Sequence, residues 1–350
     1  MMNAAIRFTC ALAALATFAV VAASGAEVPP YEITARISAG GEGGWDYISF
    51  DPGSRHLFIG RGSHLMIVDA AGDSVVGDVP NTPGVHGATV ATEFGHGFTS
   101  NGRDSSVTVF DLKTFATLAT IKLPARNPDA ILYDAVSKRV FTFNAGSASV
   151  TAIDPASNRI VGSVTLDAGP EAAVADGHGR VFVNIEDKSE VVCFDARTLK
   201  VLSKWPLAPG EGPSGIALDL VHHRLFSACA NKKLIVLDAT NGKRVADLAI
   251  GERVDGAAFD PGLQRVVTSN GEGTLSVYHE DSPDAYTHLG DVPTQRGART
   301  VTLDPATHRV YTCTAQYGET PAPTAEQPRP RPKLVPGSFV ILAMDAKTGR

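Results

Sequence analysis

Charged and polar side chains recur at one fixed distance from a repeated strand ending. Five residues before the Asp or Ala that ends an apolar segment stand, in chain order, Asp46, His86, Asp129, Glu171, Ser214, Asp255 and Arg299. Carboxylates and an imidazole on one surface suit a hard or borderline cation or proton transfer. Arg299 suits an anionic group. A purely structural position would tend to keep one residue type, so this variable position predicts ligand contacts. The alternative is that these side chains only hold water and that Arg299 only neutralises its acidic neighbours. No metal site is predicted.

Further candidates lie near these positions. Trp45 follows the glycine-rich segment GGEGG, which lacks a Lys-Ser/Thr ending and precedes no helix, so a phosphate loop is not predicted. Its ring would stack on a planar or sugar ligand, or would plug a channel. The ends of the following apolar segments supply three more candidate ligand-binding residues, Arg61, Arg103 and Tyr317. Asn residues at the same ends are expected to form tight turns at positive φ; they are Asn101, Asn144, Asn184, Asn231 and Asn270.

The elements that position these residues repeat along the chain. The segments LMIVD, VTVFD, VTAID, VVCFD and LIVLD end at Asp69, Asp111, Asp154, Asp195 and Asp238, so the period is 41 to 43 residues. LSVYH breaks the pattern at His279, and VILAMD resumes it. About four short strands per repeat of this length are typical of propeller blades. The sequence therefore predicts an all-β, seven-bladed β-propeller, in which the Asp residues that end strands form turns rather than catalyse.

The two ends of the repeat array predict how the ring closes. The last repeat stops at DAKTGR, before an outer strand, while the alternating segment Tyr31–Ser38 precedes the first repeat without partners. This N-terminal strand is expected to complete the last blade and remove an exposed sheet edge. Residues 319–336 of the last repeat form a Pro-rich insertion, read either as a tolerated surface loop or as a flap over the ligand face.

The N-terminus predicts export. Arg7 precedes an apolar run from Phe8 to Ala22, and small residues follow it, as in a signal peptide. We expect residues 1–26 to be removed, residues 27–350 to form a single propeller domain, and the protein to be periplasmic or secreted without a membrane span. The net charge of −6 disfavours nucleic-acid binding. Cys193, Cys229 and Cys313 would remain, and an odd number without a CxxC motif predicts no disulfide framework.

Two stretches carry a family resemblance. FDPGSRHLFIGRGSHLMIVDAAGDSVVGDV and YDAVSKRVFTFNAGSASVTAIDPASNRIVGSVTL resemble the YVTN-type, or YncE-like, β-propeller repeats, and the resemblance covers about residues 31–350. It implies an exported seven-bladed protein. Members of the family are associated with binding, with cell surfaces and in one case with DNA, and they share no catalytic signature that this chain could inherit.

Two functions of different class follow. The first is a noncatalytic exported propeller that binds a small molecule, peptide or protein at the channel mouth. The second is a metal-assisted, lactonase-like hydrolase that uses the carboxylates and His86 there. A DNA-binding propeller is a third, carried by the resemblance alone. Because no nucleophile–base motif occurs, we favour the noncatalytic function, and the sequence names neither ligand nor cofactor.

Overall fold

A computed structural model describes Met1 and residues 29–324, 330 and 332–347 of the chain. These residues are almost entirely strands joined by short turns, with three 3-10 turns at Thr92–Phe94, Ala145–Ser147 and Glu186–Lys188. The strands in chain order are β1 (Tyr31–Ser38), β2 (Ile48–Asp51), β3 (His56–Gly60), β4 (Leu65–Asp69), β5 (Ser74–Val79), β6 (Val85–Ala91), β7 (His96–Asn101), β8 (Ser106–Asp111), β9 (Thr117–Lys122), β10 (Pro128–Asp134), β11 (Arg139–Asn144), β12 (Ser149–Asp154), β13 (Arg159–Thr165), β14 (Pro170–Ala175), β15 (Arg180–Ile185), β16 (Glu190–Asp195), β17 (Val201–Pro206), β18 (Pro213–Asp219), β19 (Arg224–Cys229), β20 (Lys233–Asp238), β21 (Arg244–Ala249), β22 (Val254–Asp260), β23 (Arg265–Asn270), β24 (Thr274–Ser282), β25 (Ala285–Pro293), β26 (Val301–Asp304), β27 (Arg309–Thr314) and β28 (Val340–Ala346).

The strands form seven antiparallel sheets of four strands each. Blades 1 to 6 are consecutive: β2–β5, β6–β9, β10–β13, β14–β17, β18–β21 and β22–β25. Blade 7 has the order β1-β28-β27-β26. The innermost strands of neighbouring blades contact one another around the ring. The predicted seven-bladed propeller is confirmed.

Closure by the N-terminal strand is confirmed as well. β1 pairs antiparallel with β28, from Tyr31 opposite Ala346 to Ser38 opposite Val340. Tyr31 and Ile37 are buried in the cores on the two sides of blade 7. The outer edge of the last blade is therefore covered by the first strand of the chain.

Asp side chains form the turns as predicted. At the end of β2, Asp51 accepts hydrogen bonds from the backbone N–H of Gly53 and Ser54 at 3.3 and 2.9 Å. At the end of β8, Asp111 accepts from the N–H of Lys113 and Thr114, and these bonds lower the pKa of its carboxyl. The repeated Asp is thus a turn former, which fixes the hairpins and hence the height of every loop at the opposite end of the blades.

Two predictions concern residues that the structure does not describe or describes in part. The signal peptide 1–26 lies outside the described residues apart from Met1. In the Pro-rich insertion 319–336, residues 325–329 and 331 lie outside them. Among the residues that are described, no helix has the length and apolar character needed to cross a membrane. Cys193, Cys229 and Cys313 are buried free thiols.

Candidate functional site

The repeat register brings the predicted residues to one end of the channel. The seven residues of the variable position each lie at the start of an innermost strand or just before it, and these strands all run in the same direction through the ring. We call this end the mouth. His86 Nδ1 lies 2.6 Å from Asp46 Oδ2 and 3.3 Å from Asp129 Oδ1. The three side chains are 26%, 26% and 15% exposed, respectively, so solvent reaches all of them.

Arg299 joins this cluster from the other side of the mouth. Its Nε donates to Asp255 Oδ2 at 2.6 Å, and its Nη2 donates to the Trp45 carbonyl at 3.3 Å. The same Nη2 lies 3.6 Å from Asp46 Oδ1. A continuous chain of contacts therefore links residues from blades 6, 7, 1, 2 and 3. Arg299 is partly neutralised by these acids, as one of the two sequence interpretations anticipated.

Crowded carboxylates change the titration of the mouth. Burial raises the pKa of Asp129 to about 7, although the charge of His86 opposes the rise. Burial and then the charge of Asp129 raise the pKa of Glu171 to about 8. Burial also raises the pKa of Asp255 despite Arg299. Burial lowers the pKa of His86, but its hydrogen bond to Asp46 and the charge of Asp129 outweigh burial and raise it. Near neutral pH the mouth thus holds carboxyl groups that exchange protons.

A cavity of about 400 Å³ opens beside this acidic cluster. Three arginines line it, Arg253, Arg296 and Arg299, together with Trp45 and Tyr317. The Arg296 guanidinium carbon lies 5.4 Å from the centre of the Tyr317 ring. Within the described part of the chain, Arg253 and Arg296 have no carboxylate partner, and both are exposed. The cavity wall therefore carries two guanidinium groups that form no ion pair among the described residues, although the charge of Arg253 is attracted to the adjacent Glu252.

Arg103 lies at a second cavity of the mouth. This space of about 320 Å³ is also lined by Trp45, Asp46 and His86. The structure thus places nine of the ten candidate residues at the mouth, and their role in binding stays a prediction; they are Trp45, Asp46, His86, Arg103, Asp129, Glu171, Asp255, Arg299 and Tyr317.

The tenth candidate, Arg61, is placed where a ligand does not reach it. Its side chain is 0% exposed, and it donates to the carbonyls of Gly40, Glu42 and Gly44 at 3.1 to 3.2 Å. Its guanidinium lies 3.6 Å from the centre of the Phe339 ring. Gly43 needs to be glycine here, because its φ is +91° and a Cβ would lie 2.8 Å from the Arg61 carbonyl oxygen. Arg61 is therefore the structural centre of the glycine-rich segment, and the prediction that it binds a ligand is corrected.

Trp45 is more buried than a free stacking platform would be. Only 7% of it is exposed, and its ring packs 6.3 Å from Tyr317 and 5.8 Å from Phe339, centre to centre. Its indole N–H has no hydrogen-bond partner among the described residues. The ring forms part of the floor of both cavities of the mouth. The plugging interpretation fits this burial better than the stacking one.

Sequence reasoning missed two sets of residues. Arg253 was not singled out, although it stands two residues before the ring position Asp255 and so belongs to the same loop layer. The Asn residues at strand ends are not turn formers at positive φ. Instead, buried Asn101 donates to Ser106 and Thr108 on the neighbouring strand. Asn144 and Asn270 repeat this arrangement in blades 3 and 6. The recurring Thr-x-Asn and Ser/Thr-x-Ser/Thr spacing was the available signal.

Seven four-stranded blades around a central mouth define the class of this protein as a β-propeller. No family model matches the sequence, and no curated protein matches it. Among solved structures, the chain is similar to a chain of the mitotic checkpoint complex, with 13% identity and a TM-score of 0.69 over 89% of this chain and 96% of that one. It is also similar to a chain of Kuenenia stuttgartiensis hydrazine synthase, with 16% identity and a TM-score of 0.69 over 77% of this chain and 92% of that one. At such identities these similarities show the fold alone.

Proposed function

We propose that the protein is an exported, YVTN-like binding propeller that takes a small organic anion at its mouth. One observation carries this proposal. Arg253 and Arg296 line the same concave cavity, and neither forms an ion pair among the described residues, although the charge of Arg253 is attracted to Glu252. Guanidinium groups bind carboxylate and phosphate oxygens through paired N–H donors. Two such groups facing one cavity therefore favour an anionic group of the ligand.

The size and lining of the cavity favour a small molecule over a macromolecule. Its volume of about 400 Å³ falls in the range of small-ligand sites. Tyr317, Pro332 and Leu334 give it apolar walls beside the arginines. The contact of Arg296 with the Tyr317 ring holds its guanidinium at the wall. An anion attached to an organic body fits such a site better than a free inorganic ion.

The acidic cluster sets a second requirement. Arg299 separates the arginine-lined cavity from Asp255 and Asp46. With raised pKa values, Asp129 and Glu171 remain partly protonated near neutral pH. They can then donate hydrogen bonds to a ligand, whereas a second negative group near them would be repelled. We therefore propose a monoanionic ligand with hydroxyl or amine groups at its other end.

A calorimetric comparison tests the anion site. Monoanionic sugar acids and hydroxy acids are titrated into the wild-type protein, with their neutral amides as matched ligands. We expect only the acids to bind, and we expect the Arg253→Gln/Arg296→Gln double variant to bind at least about tenfold more weakly, since a charged hydrogen bond contributes about 1.5–3 kcal/mol. Arg159→Gln is the control, because Arg159 is exposed at the start of an outer strand. Equal binding by the double variant and the wild type would refute the site.

Export is the second part of the proposal. It is supported by the apolar run from Phe8 to Ala22 and the small residues after it. When the full chain is expressed in a bacterium, we expect the protein in the periplasmic fraction or the medium, with its mature N-terminus near Glu27. Intact-mass measurement decides the matter, because a product that retains residues 8–22 contradicts cleavage.

One observation favours the hydrolase as a second candidate. Asp46, His86 and Asp129 each offer a ligand atom, and these atoms lie within 4.8 Å of one another. A divalent cation held there would polarise an ester or lactone carbonyl. Hydrolysis of a lactone panel in the presence of Ca²⁺, Mn²⁺ or Zn²⁺, lost in His86→Ala, would support this candidate over the noncatalytic one. Lack of metal-dependent turnover by the wild type would reject it.

A further inference from the structure

A second cluster of ionisable groups lies at the opposite end of the channel from the mouth. Asp219 ends β18, His222 lies in the turn that follows, and Glu280 lies near the end of β24 in the next blade. His222 Nδ1 is 2.7 Å from Asp219 Oδ2 and 3.3 Å from Glu280 Oε1. The cluster therefore connects blade 5 to blade 6.

Glu280 departs from the repeat at a buried position. Glu280 directly follows His279, which replaces the Asp that ends the corresponding segment of every other repeat. The residue after that Asp is apolar in the other six repeats, which carry Ala70, Leu112, Pro155, Ala196, Ala239 and Ala346. The backbone at this position makes the same hydrogen bond whether the residue is Glu or Ala. Glu280 N–H donates to the Gln264 carbonyl, and Ala239 N–H donates to the His223 carbonyl. The fold itself thus needs no carboxylate here.

The Glu280 side chain has unmet bonding capacity. It is 0% exposed, and its ion-pair contact among the described residues is the 3.3 Å approach of His222 Nδ1, without a well-directed hydrogen bond to either oxygen. Burying a carboxylate with so little compensation is costly. A positive charge in the cluster would remove this cost.

The neighbouring Arg224 does not supply that charge. Arg224 donates to the Pro283 carbonyl and to Asp284, at 2.7 and 3.0 Å. Its other nitrogen bonds the backbone carbonyl of His222 rather than either carboxylate of the cluster. A pair of the same two residue types connects blade 6 to blade 7, where His308 Nδ1 lies 2.9 Å from Asp260. Among the described residues no second carboxylate joins that pair, whereas Glu280 lies beside Asp219 and His222.

We propose that Asp219, His222 and Glu280 form a binding site for a divalent cation of borderline softness, Zn²⁺ in the first place, which fastens blade 5 to blade 6. Their ligand atoms lie within 4.8 Å of one another, so one ion can contact all three. One imidazole and two carboxylates are a donor set that Zn²⁺ accepts, with water completing the coordination. His222 is 28% exposed and gives the ion a route from solvent.

The test measures metal binding by the full-length protein. A chelator first strips any bound metal, and the chelator is then removed. Zn²⁺, and Mn²⁺ in parallel, are titrated calorimetrically, and melting is followed with and without the ion. We expect the wild type to bind Zn²⁺ at this site and to melt at a higher temperature with it. Glu280→Ala should weaken this binding by more than about 100-fold, since even changes outside the ligand set cost about 10–100-fold. Glu280→Gln, which keeps the shape of the side chain, should also lose it.

A matched variant separates this site from the mouth. Asp129→Asn removes a carboxylate from the mouth cluster and should leave Zn²⁺ binding at Glu280 intact. Ala is the residue that four other repeats carry at this position, so Glu280→Ala is expected to fold, and circular dichroism checks this. The proposal is overturned if the wild type binds no Zn²⁺, if Glu280→Ala binds it as tightly as the wild type, or if Asp129→Asn alone abolishes binding.

Discussion

Replacing Glu171 by Gln should stabilise the protein in alkaline solution and leave it unchanged in acid. Among the described residues Glu171 has no ion pair or hydrogen bond, and burial and Asp129 raise its pKa from 4.5 to about 8. Between these two values the unfolded chain releases the proton first, so the wild type loses stability as the pH rises. Below about pH 4 the Glu171 side chain is neutral in both states, and Gln then changes little.

The size of the effect follows from the same quantities. A rise in pKa from 4.5 to about 8 corresponds to about 5 kcal/mol of unfolding free energy above the higher value. Because the side chain is partly exposed at the mouth, solvent screening reduces this amount, and we expect about 2 kcal/mol. Glu171→Gln should therefore exceed the wild type by about 2 kcal/mol near pH 9, with the gain developing between the two pKa values.

Urea unfolding at several pH values measures this difference directly. The control is Asp187→Asn, which removes an exposed carboxylate from the 3-10 turn Glu186–Lys188. We expect the control to change stability by less than about 0.5 kcal/mol at every pH. A Glu171→Gln advantage that is absent near pH 9, or equally large near pH 4, would show that the Glu171 carboxyl is not destabilised by its surroundings.

Two further predictions concern the scaffold. Deleting Tyr31–Ser38 should lower the unfolding free energy by about 5 kcal/mol or more, because it removes two buried side chains, Tyr31 and Ile37, and exposes β28; an unchanged melting temperature would contradict ring closure. Arg61→Ala should lower the unfolding free energy by about 3–5 kcal/mol, since three backbone carbonyls lose a charged donor. Arg61→Lys should retain part of the stability. Urea unfolding of both variants checks this, and an Arg61→Ala protein as stable as the wild type would refute it.

The repeat register predicted more than the fold. Equivalent positions in a closed ring share one height, so counting back from the Asp, or from Ala91, that ends each innermost strand placed Asp46, His86, Asp129 and Arg299 at the same end. The closing strand Tyr31–Ser38 followed from a missing partner at the other end of the array. Both inferences rest on period and alternation, which are properties of the chain itself.

Contacts between layers could not be predicted in this way. Arg61 and Arg103 occupy corresponding strand ends, yet Arg61 is enclosed because the glycine-rich segment 40–44 turns its carbonyls inward. Glu280 contacts His222 because the turn after β18 in blade 5 packs against the end of β24 in blade 6. Neither fact has a periodic signature, since each depends on a single departure from the repeat.

The pairing of β1 with β28 imposes an order on folding. Tyr31 meets Ala346, so the two strands that complete blade 7 lie at opposite ends of the array. Blades 1 to 6 are each built from strands adjacent in the chain and can form locally. The seventh has to wait for an encounter across the whole sequence, and until then β28 presents an unpaired edge to other molecules. The same strand that makes the finished ring stable is thus the one whose absence, during synthesis, leaves the chain open to association with its neighbours.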